Sequence, residues 1–288
     1  MTWARALAPV LLVALAACEP APSQVASSPQ SQSEPSPEHI EAAPATSATP
    51  TPSARPSANT LTGLRGNTRN AIAWAPLADP DHVTVEGSVP RNRAWSTSKP
   101  LVIAAYLDTA VAGDPGEIPD EERGWIREAL TKSDGEAIAA IHDEIDGSPG
   151  EAMTRILRSI GDTTTTAPDS YEGTMEWSVA EQVRFMAALG NGQVVSPEAS
   201  AFLLQQMQPI ASQRWGLGAI GASAFKPGWV SAQTETRQMG IVGKYAVAII
   251  TAGEGPATRQ SDGDYAHQWQ LNRLAALLAE RIGVSARS

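Results

Sequence analysis

The hydrophobic and polar positions of this chain follow two different periods, and the changes of period separate strands from helices. Two short apolar and β-branched stretches, 70–77 and 82–87, flank Ala-Asp-Pro-Asp, which predicts two strands joined by a turn. Apolar residues at helical spacing predict helices over 95–112, 119–131, 135–145, 150–160, 178–189 and 196–207. Strand-like stretches return at 222–230, 236–242 and 245–251. A last amphipathic helix is predicted over 264–282, with one apolar side formed by Trp269, Leu271, Leu274, Leu277 and Leu278.

The order of these elements predicts an α+β fold. The simplest closure pairs the two N-terminal strands with the three C-terminal strands in one antiparallel five-stranded sheet flanked by helices. The helices between the two groups of strands would form an inserted helical lobe. A site built from both parts would lie in the crevice between them, which is a common position for ligands.

The N-terminal residues have the pattern of a secretory signal peptide. Arg5 precedes an apolar run over 6–17, which at roughly 12 residues is shorter than the ~20 that a transmembrane helix needs. The run ends in Leu-Ala-Ala-Cys18, which resembles the lipobox of bacterial lipoproteins. The resemblance implies a signal peptide over 1–17, lipidation of Cys18, and an extracytoplasmic protein anchored by lipid to the bacterial cell membrane. The alternative is an ordinary signal peptide with a chance cysteine.

The residues that follow are unlike the rest of the chain. Nine of the 22 prolines and nine serines lie between 19 and 60, and no aromatic residue does. Such a composition cannot bury enough apolar surface to offset chain entropy. We therefore expect the lipidated cysteine and a disordered Pro/Ser/Ala-rich tether over 18–60, and a single folded domain over 61–288.

Composition excludes several classes of function. With 42% hydrophobic and 18% charged residues, the chain has the balance of a globular protein. A single cysteine excludes an internal disulfide and a cysteine-based metal site, and the histidines share no metal-ligand spacing, so we expect no metal and no cofactor. The net charge of −10 argues against a nucleic-acid partner. The domain is expected to be a monomer.

The lysines carry the first sign of chemistry. The chain has only four, against 17 arginines, and a lysine can lose its proton when desolvated whereas an arginine effectively cannot. Ser96 and Lys99 are three residues apart at a predicted helix start, so both lie on one face. A buried amine can accept the proton of the hydroxyl, and the helix N-terminus stabilises the negative charge that develops. The alternative is a serine-rich helix start with a solvated lysine.

Two further motifs follow in order. The sequence reads Ser96-x-x-Lys99, then Ser133-Asp-Gly135, then Lys226-Pro-Gly. This order resembles the serine β-lactamase and penicillin-binding-protein superfamily, whose motifs are S-x-x-K, S-D-N and K-T-G. The order of strands and helices also resembles the class A β-lactamases. The resemblance implies a β-lactamase/transpeptidase-like fold and a serine hydrolase that acts on β-lactams, or on a peptidoglycan stem peptide, through an acyl-enzyme.

The resemblance also implies catalytic roles. Ser96 would be the acylated nucleophile, Lys99 its proton acceptor, and Ser133 the group that passes a proton to the leaving nitrogen. Asp-Ser-Tyr-Glu172 resembles the approach to the glutamate that activates the deacylating water in class A enzymes. Glu172 is therefore the candidate base, with Glu176 as the second candidate and a solvated loop acid as the alternative.

Four further residues would bind substrate by the same resemblance. Lys226 would attract the substrate carboxylate. Gly228 and Trp229 follow it on the strand, and the amide of Trp229 would complete an oxyanion hole with that of Ser96. Arg237, on the next strand, would reach the same carboxylate, unless it is a surface arginine.

Three departures from the family motifs keep other functions open. Gly135 replaces an asparagine, Pro227 replaces a threonine, and Trp229 is large. One alternative is a D-alanyl-D-alanine peptidase or transpeptidase that is acylated but releases the acyl group slowly. The other is a catalytically degenerate fold that binds cell-wall peptide or a protein partner.

Overall fold

The computed structural model describes residues 61–229, 235–252 and 266–284. Its five strands are β1 (Asn70–Pro76), β2 (Thr84–Ser88), β3 (Ala224–Trp229), β4 (Glu235–Val242) and β5 (Tyr245–Ala252). The α-helices of these ranges are α1 (Lys99–Thr109), α2 (Asp120–Thr131), α3 (Gly135–Asp143), α4 (Pro149–Ser159), α5 (Val179–Gly190), α6 (Pro197–Gln206) and α7 (Ala266–Ile282). The predicted signal peptide, Cys18 and the tether lie outside the described residues.

The strands form one sheet in the order β2-β1-β5-β4-β3. Every neighbouring pair is antiparallel, with Asn70 opposite Thr251 and Lys226 opposite Met239 in the register. The two N-terminal strands therefore pair with the three C-terminal strands through β1 and β5. The predicted α+β fold with a five-stranded antiparallel sheet is confirmed.

The sheet is covered on both faces. Val247 and Ile249 of β5 pack against Leu271 and Leu274 of α7 on one face. The alternate residues of β5, Ala246, Ala248 and Ile250, belong to the larger core that the helices α1 to α6 form on the other face. Because both faces are buried, β5 is apolar almost throughout. None of the helices in the described ranges combines the length and apolar character that crossing a membrane requires.

Two details of the predicted helices are wrong. The sequence pattern predicts Trp269 on the apolar side of α7 with the leucines, but it is 47% exposed, since it lies two residues, or about 200°, from Leu271 around the helix. The first helix was expected from residue 95, but a 3-10 turn occupies Trp95–Ser98 and α1 begins at Lys99. All residues from Lys99 to Leu107 are buried, so no polar face marks where this helix begins.

Candidate active site

The candidate nucleophile lies in the 3-10 turn that leads into α1. Trp95, directly before Ser96, has a φ of 46°, a left-handed conformation that is strained for a bulky residue. The turn is held from within, since Thr97 Oγ1 donates to Ala94 O at 2.5 Å and Ser98 Oγ donates to Trp95 O at 2.8 Å. The result is a rigid turn that presents the half-buried Ser96 at the start of a buried helix.

Lys99 lies within hydrogen-bonding distance of the serine hydroxyl. Its Nζ donates to Ser96 Oγ at 3.1 Å and to the carbonyl oxygen of Ser133 at 2.7 Å. Burial lowers the pKa of Lys99 to about 8, although the charges of Glu172 and Asp134 act to raise it. A substantial fraction of Lys99 is therefore neutral near physiological pH, as a proton acceptor has to be.

Ser133 lies between the two buried lysines of the site. It has a φ of 64°, and Asp134 caps α3 immediately after it by accepting from Ala137 N at 2.8 Å. Lys226 Nζ donates to Ser133 Oγ at 2.8 Å, and Lys99 Nζ is 3.5 Å from the same oxygen. Three of the predicted catalytic residues and Lys226 thus form one continuous chain of hydrogen bonds.

Lys226 is fully buried on β3 and donates its second hydrogen bond to Pro227 O at 2.9 Å. Burial holds the pKa of Lys226 well below its usual value, and the nearby charge of Lys99 lowers it further. The two ammonium groups repel each other, so protonation of one disfavours protonation of the other.

The strand β3 is an edge strand, and this explains why Pro227 is tolerated. Phe225 N donates to Met207 O at 3.0 Å, outside the sheet, so its N–H points away from β4. Because successive residues of a strand alternate, the backbone nitrogens of Pro227 and Trp229 also face the outer edge. A proline at this position therefore removes no hydrogen bond from the β3–β4 ladder.

Gly228 allows this strand to approach the nucleophile. A Cβ atom on Gly228 would lie 2.8 Å from Thr97 N, 3.0 Å from Ser96 N and 3.1 Å from Ala94 O. The backbone of β3 therefore contacts the turn at Ser96, and the amide of Trp229, one of the two donors predicted for the oxyanion hole, belongs to the next residue along that strand. The indole of Trp229 packs edge-on against Trp215, with ring centroids 5.7 Å apart.

Arg237 is placed beside the site but not at its surface. It lies opposite Gly228 in the register, is fully buried, and has Nη2 3.5 Å from Glu235 Oε2. Its Nε and Nη1 atoms are buried and have no hydrogen-bond partner among the residues that the structure describes. Burial lowers the pKa of Arg237 to about 9, while the charges of Glu235 and Glu176 raise it.

The two candidate bases lie in different places. Glu172 begins a 3-10 turn after Tyr171, which has a φ of 56°, and it lines the same cleft as Ser96 and Lys99. Glu176 is exposed, and its carboxylate accepts from Asn92 N at 2.8 Å. This hydrogen bond lies beside a short β-bridge that joins the loop carrying Glu176 to the residues before Ser96. Of the two acids, only Glu172 lies in the cleft.

The cleft beside Ser96 encloses about 310 Å³. Besides Ser96, Lys99 and Glu172, its walls are formed by Trp95, Gly135, Ile138, Tyr171, Gly173, Thr174 and Trp229. Of the aromatic and aliphatic residues of this wall, only Trp229 is predicted from the sequence, although Trp95 and Tyr171 each directly precede a motif residue. A larger hollow of about 600 Å³ beside β2, lined in part by Arg65, Glu86 and Arg281, contains none of the candidate catalytic residues.

No protein-family model matches the sequence, and no curated protein matches it either. The structure, by contrast, is similar to many solved structures. A mutant of the chromosome-encoded β-lactamase of Vibrio parahaemolyticus matches with a TM-score of 0.55 and 17% identity, over 74% of this chain and 94% of that one.

Two further solved structures match equally well. PBP-A matches with a TM-score of 0.55 and 18% identity, over 74% of this chain and 91% of the other. A variant of the last common ancestor of Gram-negative class A β-lactamases matches with a TM-score of 0.57 and 17% identity, over 76% and 94%. At these identities the likeness establishes the architecture. The domain has the fold shared by the class A β-lactamases and PBP-A.

Proposed function

We propose that this chain is a serine hydrolase that opens β-lactams through an acyl-enzyme on Ser96. The observation that carries the proposal is the 3.1 Å hydrogen bond between Lys99 Nζ and Ser96 Oγ, made by a buried lysine with a pKa of about 8. A nucleophile and its base within hydrogen-bonding reach are the minimum requirement for this chemistry.

Acylation can be written with the groups at the site. Ser96 Oγ attacks the lactam carbonyl carbon, and the serine proton passes to neutral Lys99. The oxyanion that forms is stabilised by the amides of Ser96 and Trp229. The C–N bond then breaks, the leaving nitrogen takes a proton from Ser133 Oγ, and Lys99 returns a proton to Ser133, from which it lies 3.5 Å away.

Deacylation requires a water molecule and a base. In the proposal Glu172 takes a proton from water, the hydroxide attacks the ester carbonyl, and the bond to Ser96 Oγ breaks. The proton that Glu172 took from water then passes through Lys99 to Ser96 Oγ, which restores both groups, and the free acid leaves. The position of Glu172 in the same cleft as Ser96 and Lys99 supports this role.

A labelled penicillin tests the proposal. The folded full chain should gain one covalent penicilloyl group, detected by intact mass, and Ser96→Ala should gain none. Steady hydrolysis would support a β-lactamase, whereas one rapid turnover followed by a stall would favour the peptidase or transpeptidase alternative. A folded protein that neither forms the adduct nor hydrolyses the penicillin would rule out the acyl-enzyme and favour the degenerate binding protein.

The predicted lipid anchor remains a separate proposal. We propose that Cys18 is diacylated and that the domain lies outside the cytoplasm, which rests on the lipobox-like Leu-Ala-Ala-Cys sequence alone. Cells fed labelled palmitate should label the full chain, and Cys18→Ala should remove the label and release the protein from the membrane fraction. If the Cys18→Ala chain is labelled as strongly as the unaltered chain, the proposed lipid attachment at Cys18 is wrong.

A further inference from the structure

We propose that Gln213 is a positioning residue that holds Ser133 in place for the transfer of a proton to the leaving group. The inference rests on the proposed acyl-enzyme, in which Ser133 Oγ protonates the leaving nitrogen. It deepens that proposal, because Gln213 belongs to none of the three motifs and does not line the cleft beside Ser96.

Gln213 is bonded to the peptide that leads into Ser133. It ends the 3-10 turn Ala211–Gln213, is only 3% exposed, and its Nε2 donates to Lys132 O at 3.1 Å. The carbonyl of Lys132 and the nitrogen of Ser133 belong to one planar peptide group. A hydrogen bond that fixes this carbonyl therefore also fixes the peptide from which the Ser133 side chain extends.

Ser133 depends on such support because its backbone is strained. Its φ of 64° lies in the left-handed region, which is unfavourable for serine and persists only where surrounding contacts hold it. In this conformation Ser133 Oγ accepts from Lys226 Nζ at 2.8 Å and lies 3.5 Å from Lys99 Nζ. Rotation of the backbone at Ser133 would change both distances.

The residues around Gln213 make a second contact with the same stretch of backbone. Ile210 N donates to Thr131 O at 3.0 Å. Thr131 and Lys132 are consecutive, so two successive carbonyls before the serine are held by one short piece of chain, residues 207–213. We call these residues the connecting segment.

The connecting segment also holds the strand that carries Lys226. Met207 O accepts from Phe225 N at 3.0 Å, and Phe225 directly precedes Lys226. The segment is therefore bonded to the backbone just before each partner of the hydrogen bond between Ser133 Oγ and Lys226 Nζ. In this way it fixes where the two groups meet, and Gln213 supplies its side-chain contact on the Ser133 side.

The position of Ser133 matters only for a leaving group that needs a proton. When a β-lactam acylates Ser96, the C–N bond breaks and the nitrogen takes the proton of Ser133 Oγ. When a 4-nitrophenyl ester acylates Ser96, the serine proton passes to Lys99, the C–O bond breaks, and 4-nitrophenolate leaves as an anion without a proton. A displaced Ser133 should therefore slow the lactam and spare the ester.

Benzylpenicillin and the 4-nitrophenyl ester of phenylacetylglycine, which carry the same phenylacetamido group, test this with the full chain. Rapid quenching and intact mass measure acylation by the penicillin, and the nitrophenolate burst, corrected for uncatalysed hydrolysis, measures acylation by the ester. Gln213→Met should slow the penicillin reaction by about 10- to 100-fold. It should change the ester reaction by no more than about twofold. Ser133→Ala should show the same selectivity, and Ser96→Ala should abolish both reactions.

Gln182 on α5 offers a matched control. It is fully buried, its Nε2 donates to Trp177 O at 2.9 Å, and its Oε1, like that of Gln213, has no partner among the described residues. Gln182→Met should lower the melting temperature about as much as Gln213→Met and leave the ratio of the two acylation rates unchanged. If Gln213→Met does not fold, Gln213→Asn, whose amide is one methylene shorter, takes its place.

A double substitution tests whether the effect passes through the hydroxyl. In a Ser133→Ala chain, Gln213→Met should slow the penicillin reaction further by no more than about twofold, because there is no hydroxyl left to displace. A further loss as large as that in the unaltered chain would overturn the inference.

The remaining outcomes separate the inference from the proposed function. An unchanged penicillin rate in Gln213→Met, or equal slowing of both donors, overturns the inference and leaves the acyl-enzyme intact. A Ser133→Ala chain without the selectivity for the penicillin does the same. If the unaltered chain is never acylated by the penicillin, the proposed function and the inference that rests on it are both wrong, whether or not the ester reacts.

Discussion

Gly228 of β3 packs backbone to backbone against Ser96, so closely that a Cβ atom on Gly228 would lie 3.0 Å from Ser96 N. The sheet and the turn that carries the candidate nucleophile therefore meet without a side chain between them. This contact sets the distance between the outer edge of β3 and the hydroxyl of Ser96. It makes the glycine of the Lys-x-Gly motif a steric requirement.

Gly228→Ala should consequently destabilise the domain and slow acylation. The added methyl group would contact backbone atoms on the turn, and overpacking of this kind costs about 1–3 kcal/mol of unfolding free energy. Gly135→Ala is the matched control, because no heavy atom lies within 4 Å of its Cβ position. Urea unfolding of both variants measures the difference, and equal stabilities would contradict the close packing.

The rate of acylation should rise with pH. The neutral form of Lys99 accepts the serine proton, and the pKa of Lys99 is lowered to about 8, so the rate should climb about tenfold per pH unit below 8 and level off above it. In Glu172→Gln the rise should move to lower pH, since the carboxylate that raises the pKa of Lys99 is gone. Burst rates from pH 5 to 10 measure both profiles. An unmoved profile would show that Glu172 does not act on Lys99.

Glu172→Gln and Glu176→Gln should differ in deacylation. Glu172 lines the cleft, so its loss should slow release of the acyl group by roughly 10²–10⁴-fold, the usual contribution of a general base. Glu176 accepts a hydrogen bond from Asn92 N away from the cleft, so its amide variant should keep most of the turnover. The lifetime of the penicilloyl adduct, followed by mass, checks this. If the adduct lives longer in Glu176→Gln than in Glu172→Gln, Glu176 and not Glu172 is the deacylation base.

Arg237→Met should leave the unfolding free energy unchanged or raise it by up to about 2 kcal/mol. The guanidinium is fully buried, and two of its nitrogens find no hydrogen-bond partner among the described residues, so the cost of burying its charge is poorly offset. Its ion pair with Glu235 is long at 3.5 Å, so the loss of that pair should cancel only part of the gain. Thermal and urea unfolding measure the change. A loss of more than about 2 kcal/mol would mean that the charge is well compensated in the folded state.

The same variant tests the carboxylate role predicted for Arg237 from the sequence. If Arg237 contacts the substrate carboxylate, Arg237→Met should raise KM for benzylpenicillin but not for a 4-nitrophenyl ester that carries no carboxylate. Equal changes in KM for the two substrates would show that Arg237 does not bind the carboxylate.

Much of the candidate site could be predicted from local spacing. Ser96 and Lys99 are three residues apart, and any helical turn places residues at that spacing on one face, so their contact follows from the chain itself. The alternation of apolar residues likewise predicts strands on both sides of the helical lobe, and the sheet order confirms their pairing. Trp269 shows the limit, because hydrophobicity alone placed it with the leucines of α7.

Contacts between distant parts of the chain needed the folded structure. Ser133 is 34 residues from Lys99 and 93 from Lys226, yet it lies between them. The exposure of Arg237 depends on how β4 packs against its neighbours. Which of the two glutamates lies in the cleft depends on how the loop that carries them packs against the turn at Ser96.

The order of the elements, the pairing of Ser96 with Lys99 and the departures from the family motifs follow from the amino-acid sequence alone, since they depend on neighbours along the chain. The folded structure was needed to see that burial lowers the pKa of Lys99 to about 8 and that an apolar wall adjoins Ser96. The physical reason is that burial and electrostatic potential at a site are sums over groups from many elements. No local pattern in the sequence contains those sums.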